Sequence, residues 1–111
     1  MPNELRDGTV NRYLTIMKMH NDRQLERLDA LAEDVRKLAN DEGVSIRFYG
    51  SYALRRVHRR SDLDVLIMDE LDAPRRNEII NGIERLASIH QIGVDIVEAA
   101  RAPHLGEDSV L

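Results

Sequence analysis

From about Val10 to Glu42 the chain places apolar residues at three- and four-residue intervals: Leu14, Met17, Leu25, Leu28, Ala32, Val35 and Ala39. That interval is the signature of one helical face. Asn21 falls where another apolar residue is due. With Gln24 following, it has the form of a helix cap, so the pattern admits a break into two helices there. Residues 1–9 are polar, contain Pro2 and Gly8, and read as a loose lead-in. Asp41-Glu42-Gly43 ends the helical stretch, because Gly43 is free to take the left-handed conformation that stops a helix. The stripe from Leu25 to Ala39 reads as cover for a sheet, while the near-heptad rhythm leaves Leu14 and Met17 as candidate interface residues.

Beyond Gly43 the period changes. Val44, Ile46 and Phe48 alternate with Ser45, Arg47 and Tyr49, as in a strand with one face on a core. Gly50-Ser51 breaks that strand, and Tyr52 to about Arg59 suits a short helix. Asp62 to Met68 is almost continuously apolar apart from two aspartates, which predicts a central strand covered on both faces. Pro74 suits the first residue of a helix. Ile79, Ile80, Ile83, Leu86 and Ala87 give that helix one apolar stripe, to about His90. Gly93 turns the chain into a third strand, Val94–Glu98, and the last dozen residues look irregular. This order of elements predicts an α+β fold of α/β-like character, a small mixed sheet of about three strands with helices packed on it. The expected layout is one domain over residues 1–111, with a helical segment at 1–42 and the core at 43–100.

At 111 residues the chain has room for one core. So small a domain buries a modest share of its surface and is a candidate for support by a homo- or hetero-oligomeric partner. The net charge of −4 argues against general nucleic-acid binding, which calls for the opposite sign. Cysteine is absent, which removes disulfides, thiol chemistry and cysteine–zinc sites. No apolar run reaches the roughly 20 residues of a membrane span, and the first residues lack a secretion-signal pattern. A cytoplasmic protein is expected.

The candidate chemistry lies in the aspartates. Asp62 and Asp64 are two apart on a strand, so both side chains take one face, continued by Leu66 and Met68. Two carboxylates at the mouth of an apolar strand repel each other, and burial adds a cost of several kcal/mol. A hard divalent cation such as magnesium offsets both, because it prefers carboxylate oxygens. Asp95 lies in the next apolar strand and joins the pair if the two strands are neighbours. The plainer reading is that each aspartate merely starts a strand or caps a turn. Gly50-Ser51 ends one strand and opens a helix, where free amides, the helix dipole and a hydroxyl suit a phosphate. Its plainer reading is a simple turn with Ser51 as N-cap.

Together these segments read Gly-Ser, ten residues, then Asp-x-Asp. This resembles the signature of the DNA polymerase beta-like nucleotidyltransferase superfamily. Phe48–Ala53 is similar to its strand–turn–helix, Ser61–Ile67 to the strand with the paired aspartates, and Val94–Val97 to the strand with the third carboxylate. The resemblance implies that Asp62, Asp64 and Asp95 hold two magnesium ions, with Asp95 also favouring deprotonation of the acceptor. It further implies that Gly50 and Ser51 hold the phosphates of a nucleoside triphosphate, ATP first among them. A nucleoside monophosphate would pass to a hydroxyl, with release of pyrophosphate. The size resembles the minimal nucleotidyltransferase branch, whose members are often paired with a helical HEPN-domain protein. In such pairs the partner is a toxic ribonuclease, and the nucleotidyltransferase is an antitoxin that adenylylates one of its tyrosines. Two departures stand out: Arg55 occupies a position where relatives often carry a second glycine, and little sequence follows the third strand.

Arg55, Arg56, His58, Arg59 and Arg60 crowd between the glycine-serine turn and the aspartates. They suit phosphate or an acidic partner, and equally a solvated basic face. His20, His58, His90 and His104 show no metal-ligand spacing, and Met17 and Met19 suit packing. Two other functions remain open: a binding module that neutralises a partner by contact, and an antibiotic nucleotidyltransferase, which would call for a further domain.

Overall fold

The computed structural model describes residues 3–101, with side chains from 12 to 101. Helix α1 runs unbroken from Asn3 to Glu42. At about 1.5 Å per residue it accounts for nearly the whole 63 Å long axis of the molecule. The expected lead-in over residues 1–9 is therefore helical from Asn3 onward, and the expected break at Asn21 is not there. The cause lies at Gln24. Instead of closing a capping pair, it is buried on the core side of an uninterrupted helix, where its Nε2 donates to the Ser61 carbonyl at 2.7 Å.

Strand β1 covers Ile46–Tyr49 and leads directly into α2, Gly50–Ala53. The expected helix from Tyr52 to Arg59 is thus displaced and shorter. Arg55 stops it by taking a left-handed conformation at φ 57°, and the Arg56 and Arg55 amides turn back to the Ser51 and Tyr52 carbonyls. Strand β2 spans Leu63–Ile67, α3 spans Ala73–His90 and β3 spans Val94–Glu98, followed by a 3-10 turn at Ala99–Arg101. Asp72 caps α3 by accepting from the Arg75 amide, which places Pro74 second in the helix rather than first. The expected irregular tail lies outside the described residues from 102 on.

The fold is α+β, a three-stranded mixed sheet in the order β1-β2-β3 with helices packed against it. Strand β2 is central: antiparallel to β1 and parallel to β3, which it reaches through α3. A parallel neighbour requires such a crossover, and α3 supplies it. Leu28, Leu31 and Val35 of α1 meet Leu63, Val65 and Ile67 of β2 and Ile79 and Ile83 of α3 in one buried cluster. Each such side chain contributes roughly 1.5–3 kcal/mol on burial. The odd-numbered residues of β2 face this cluster. Leu66 is fully buried but stands outside it, on the face shared with Asp64.

Among the described side chains of α1, those from Leu25 to Ala39 supply this packing. Residues 12–20 are exposed, and Tyr13, Leu14, Ile16, Met17 and Met19 present large apolar surfaces to solvent. No helix among the described residues is long and apolar enough to cross a membrane.

Candidate active site

Strand alternation fixes the geometry of the site. Tyr49, Asp64 and Asp95 are direct register partners across β1, β2 and β3, so they form one row on one face of the sheet. Asp62 lies two residues before Asp64, at the lead-in to β2. Its carboxylate rests against Gly93, at the lead-in to β3, so that a Cβ on Gly93 would come within 2.6 Å of Asp62 Oδ1. The Leu63 amide donates to the Gly93 carbonyl at 3.0 Å and ties the two lead-ins together. The three aspartates expected from the sequence thus collect at one edge.

Gly50 belongs to the same edge. Its φ of +74° is left-handed, and a Cβ there would stand 2.1 Å from Asp64 Oδ2. Two independent constraints therefore demand glycine: the backbone conformation and the space that the carboxylate takes. Tyr49, in extended conformation, occupies the N-cap of α2 without capping it through its side chain. Ser51 is consequently not the cap. It sits half-buried in the first turn, beside amides that such a turn leaves without helical partners.

Electrostatics mark Asp64 as the strained member of the set. Its carboxyl is pushed up from 3.8 to about 6, first by burial and then by the charges of Asp95 and Asp62. Tyr49 donates its hydroxyl proton to Asp95 Oδ2 at 3.1 Å, and its own pKa is pushed to about 12 by burial and by that carboxylate. Among the described residues no three acidic or histidine side chains are already drawn tightly enough to cage an ion. The donor set still fits a hard divalent cation. It consists of carboxylate oxygens alone, and the half-buried Asp64 carries a negative charge that its surroundings disfavour and a cation would stabilise.

The basic cluster resolves into separate roles. Arg55 turns to α1, where it pairs with Asp29 at 3.4 Å and lies 5.2 Å from the Tyr52 ring centre. The Arg60 amide donates to His58 Nδ1, and the His58 amide to Ser61 Oγ, so this loop is internally braced. Arg56, Arg59 and Arg60 are exposed. Concave surfaces of about 370–440 Å³ lie elsewhere, between α1 and α3 and beside β3. At the site itself Asp62 and Asp95 are exposed and Asp64 is half-buried.

Three site residues escaped the sequence reading: Tyr49, Gly93 and Gln24. Tyr49 carried a faint signal, as a polar-face strand residue immediately before Gly-Ser, but its contact with Asp95 depends on a cross-strand register that one sequence does not disclose.

A family model described as nucleotidyltransferase domain matches residues 28–110. The chain belongs to the nucleotidyltransferase domain family. Among solved structures, the chain is similar to one described as the crystal structure of the toxin-antitoxin with AMP-PNP, at 32% identity and a TM-score of 0.48. The match covers 63% of this chain and 58% of that one. A comparison with curated proteins gave no match.

Proposed function

We propose that the protein is a magnesium-dependent transferase that moves AMP from ATP to a hydroxyl on a partner protein. The partner in this reading is a helical HEPN-type toxin, the acceptor is one of its tyrosines, and this chain is the antitoxin. The observation that carries the catalytic part is the row of Asp64 and Asp95 across β2 and β3, with Asp62 and the tight Gly50 turn beside it. The AMP donor, the tyrosine acceptor and the toxin rest on the likeness of the sequence to the minimal nucleotidyltransferase branch.

In the reaction the acceptor oxygen forms a bond to the α-phosphorus of ATP, and the bond from that phosphorus to the bridging oxygen of the β-phosphate breaks. Pyrophosphate leaves. Asp95 favours deprotonation of the acceptor hydroxyl and receives its proton. Gly50 and Ser51 orient the β- and γ-phosphates, the glycine by letting them approach the backbone and the serine by its hydroxyl. Asp62 and Asp64 would hold magnesium, with Asp95 completing the set, and magnesium when bound neutralises charge on the phosphates and lowers the barrier to attack. Positioning and electrostatics carry most of phosphoryl-transfer catalysis, so no side-chain nucleophile is needed.

The test is transfer of label from α-labelled ATP, with magnesium present, to a purified HEPN-type toxin. Asp64→Asn is expected to lower the rate by more than about 100-fold. Transfer at the wild-type rate by this variant would sink the proposal. A second reading, neutralisation of a partner by contact alone, draws on the exposed apolar residues Tyr13, Leu14 and Met17 of α1. It predicts that Asp62→Asn and Asp64→Asn protect cells as well as the wild type.

A further inference from the structure

We infer that Tyr49 is a positioning residue for the third carboxylate, and that it fixes the metal-holding set by strapping β1 to β3 across the top of β2. The inference rests on the transferase reading of Asp62, Asp64 and Asp95. Neighbouring strands stand about 4.8 Å apart, so a side chain on β1 meets β3 only by leaning over the intervening strand. Tyr49 does this. Its register partner on β2 is Asp64, whose partner on β3 is Asp95, and its hydroxyl reaches Asp95 Oδ2 at 3.1 Å.

Two consequences follow from that reach. The hydrogen bond engages one oxygen of Asp95 and sets the plane of the carboxylate, which leaves the other oxygen for an ion. Partners that orient metal-binding carboxylates in this way typically account for 10–100-fold in metal affinity. Tyr49 also immediately precedes Gly50, whose turn is itself seated against Asp64. The same residue therefore fastens the third carboxylate to the start of the turn proposed to grip phosphate. Asp95 is exposed and lies on an edge strand, so a side chain without this strap would sample several rotamers.

The experiment is a manganese titration followed by electron paramagnetic resonance, on the full chain without nucleotide. It compares wild type, Tyr49→Phe, Asp95→Asn and the double variant, with Asp64→Asn as reference. Tyr49→Phe keeps the ring and removes only the hydroxyl, so the metal-free melting temperature should stay at the wild-type value. Manganese affinity should fall about tenfold, and the loss should disappear when Asp95 is already Asn. Equal affinity in Tyr49→Phe and wild type overturns the inference and leaves the transferase reading intact. So does an undiminished loss in the Asp95→Asn background, because Tyr49 would then be acting elsewhere. If Asp64→Asn also binds manganese like the wild type, the metal-site reading fails and takes this inference with it.

Discussion

The two halves of α1 share one helix and one apolar rhythm, yet they live in different surroundings. From Gln24 to Ala39 the stripe lies on the sheet and on α3, and Leu28, Leu31, Ala32 and Val35 are wholly buried. From Arg12 to His20 the same rhythm runs past the edge of the sheet, and Leu14 is 57% exposed. Periodicity reports which face of a helix is apolar. It does not report where the surface beneath that face ends.

Substitutions can press on this contrast, beginning with the deepest. Leu31→Ala should destabilise the protein by about 3 kcal/mol in urea unfolding, since it removes a fully buried side chain and leaves a cavity. A loss under about 1 kcal/mol would mean that the packed half is far looser than its burial indicates. Gln24→Leu should cost about 1–3 kcal/mol, because the buried Ser61 carbonyl loses the donor that reaches it from α1. Its melting curve, set beside that of Leu31→Ala, separates the polar anchor from the apolar one.

A pH series extends the contrast to the sheet. Asp64 titrates near 6 in the folded protein and near 3.8 unfolded, so folding favours its protonated form. That stabilisation is present in full below about pH 4 and is lost as the pH rises through 6. Comparing wild type with Asp64→Asn without metal, the variant should gain on the wild type from pH 4 to 7. The gain should be about 1 kcal/mol, less than the full shift implies because Asp64 is only half-buried and partly screened. A difference between the two proteins that stays flat across this range would remove the proposed repulsion. The smallest effect belongs to the exposed stretch of α1 from Arg12 to His20. Leu14→Ser with Met17→Ser should shift stability by no more than about 0.5 kcal/mol each, as expected at exposed positions. A larger loss, dependent on protein concentration, would show that a second copy covers this face.

Much of the architecture was legible because burial enforces periodicity. The alternation of Val44, Ile46 and Phe48 and the apolar run around Asp62 and Asp64 gave strands close to those observed. Asp62 and Asp64 had to share a face by strand alternation, whereas the place of Asp95 beside Asp64 waited on the pairing of β2 with β3. Helix ends were legible only in part. All three helices close with the same pair of returning amide bonds around a left-handed residue, but that residue is Gly43, Arg55 and Gln91 in turn. Glycine announces such a stop in the sequence, whereas arginine and glutamine do not, and so α2 was expected to continue past its actual end. Arg55 also answers the question raised by its departure from the family pattern. The backbone keeps the conformation that a glycine would favour there, and the side chain finds Asp29 and Tyr52. Asn21 misled in the other direction, since a polar residue on a helix face resembles a cap until the helix is seen to pass through it.

Arg27 joins the packed part of α1 to the end of α3. Its guanidinium donates to the carbonyls of His90 and Gln91, 63 and 64 residues farther along, and to the Gln24 side chain one turn back. During synthesis Arg27 emerges well before its acceptors at His90 and Gln91. The junction therefore closes late, after a long loop has been drawn in at an entropic cost that local helix and hairpin formation does not bear. Until then that anchor is unmade, and Leu31 and Val35 of α1 lack the Ile79 and Ile83 surface that shares their core in the folded protein.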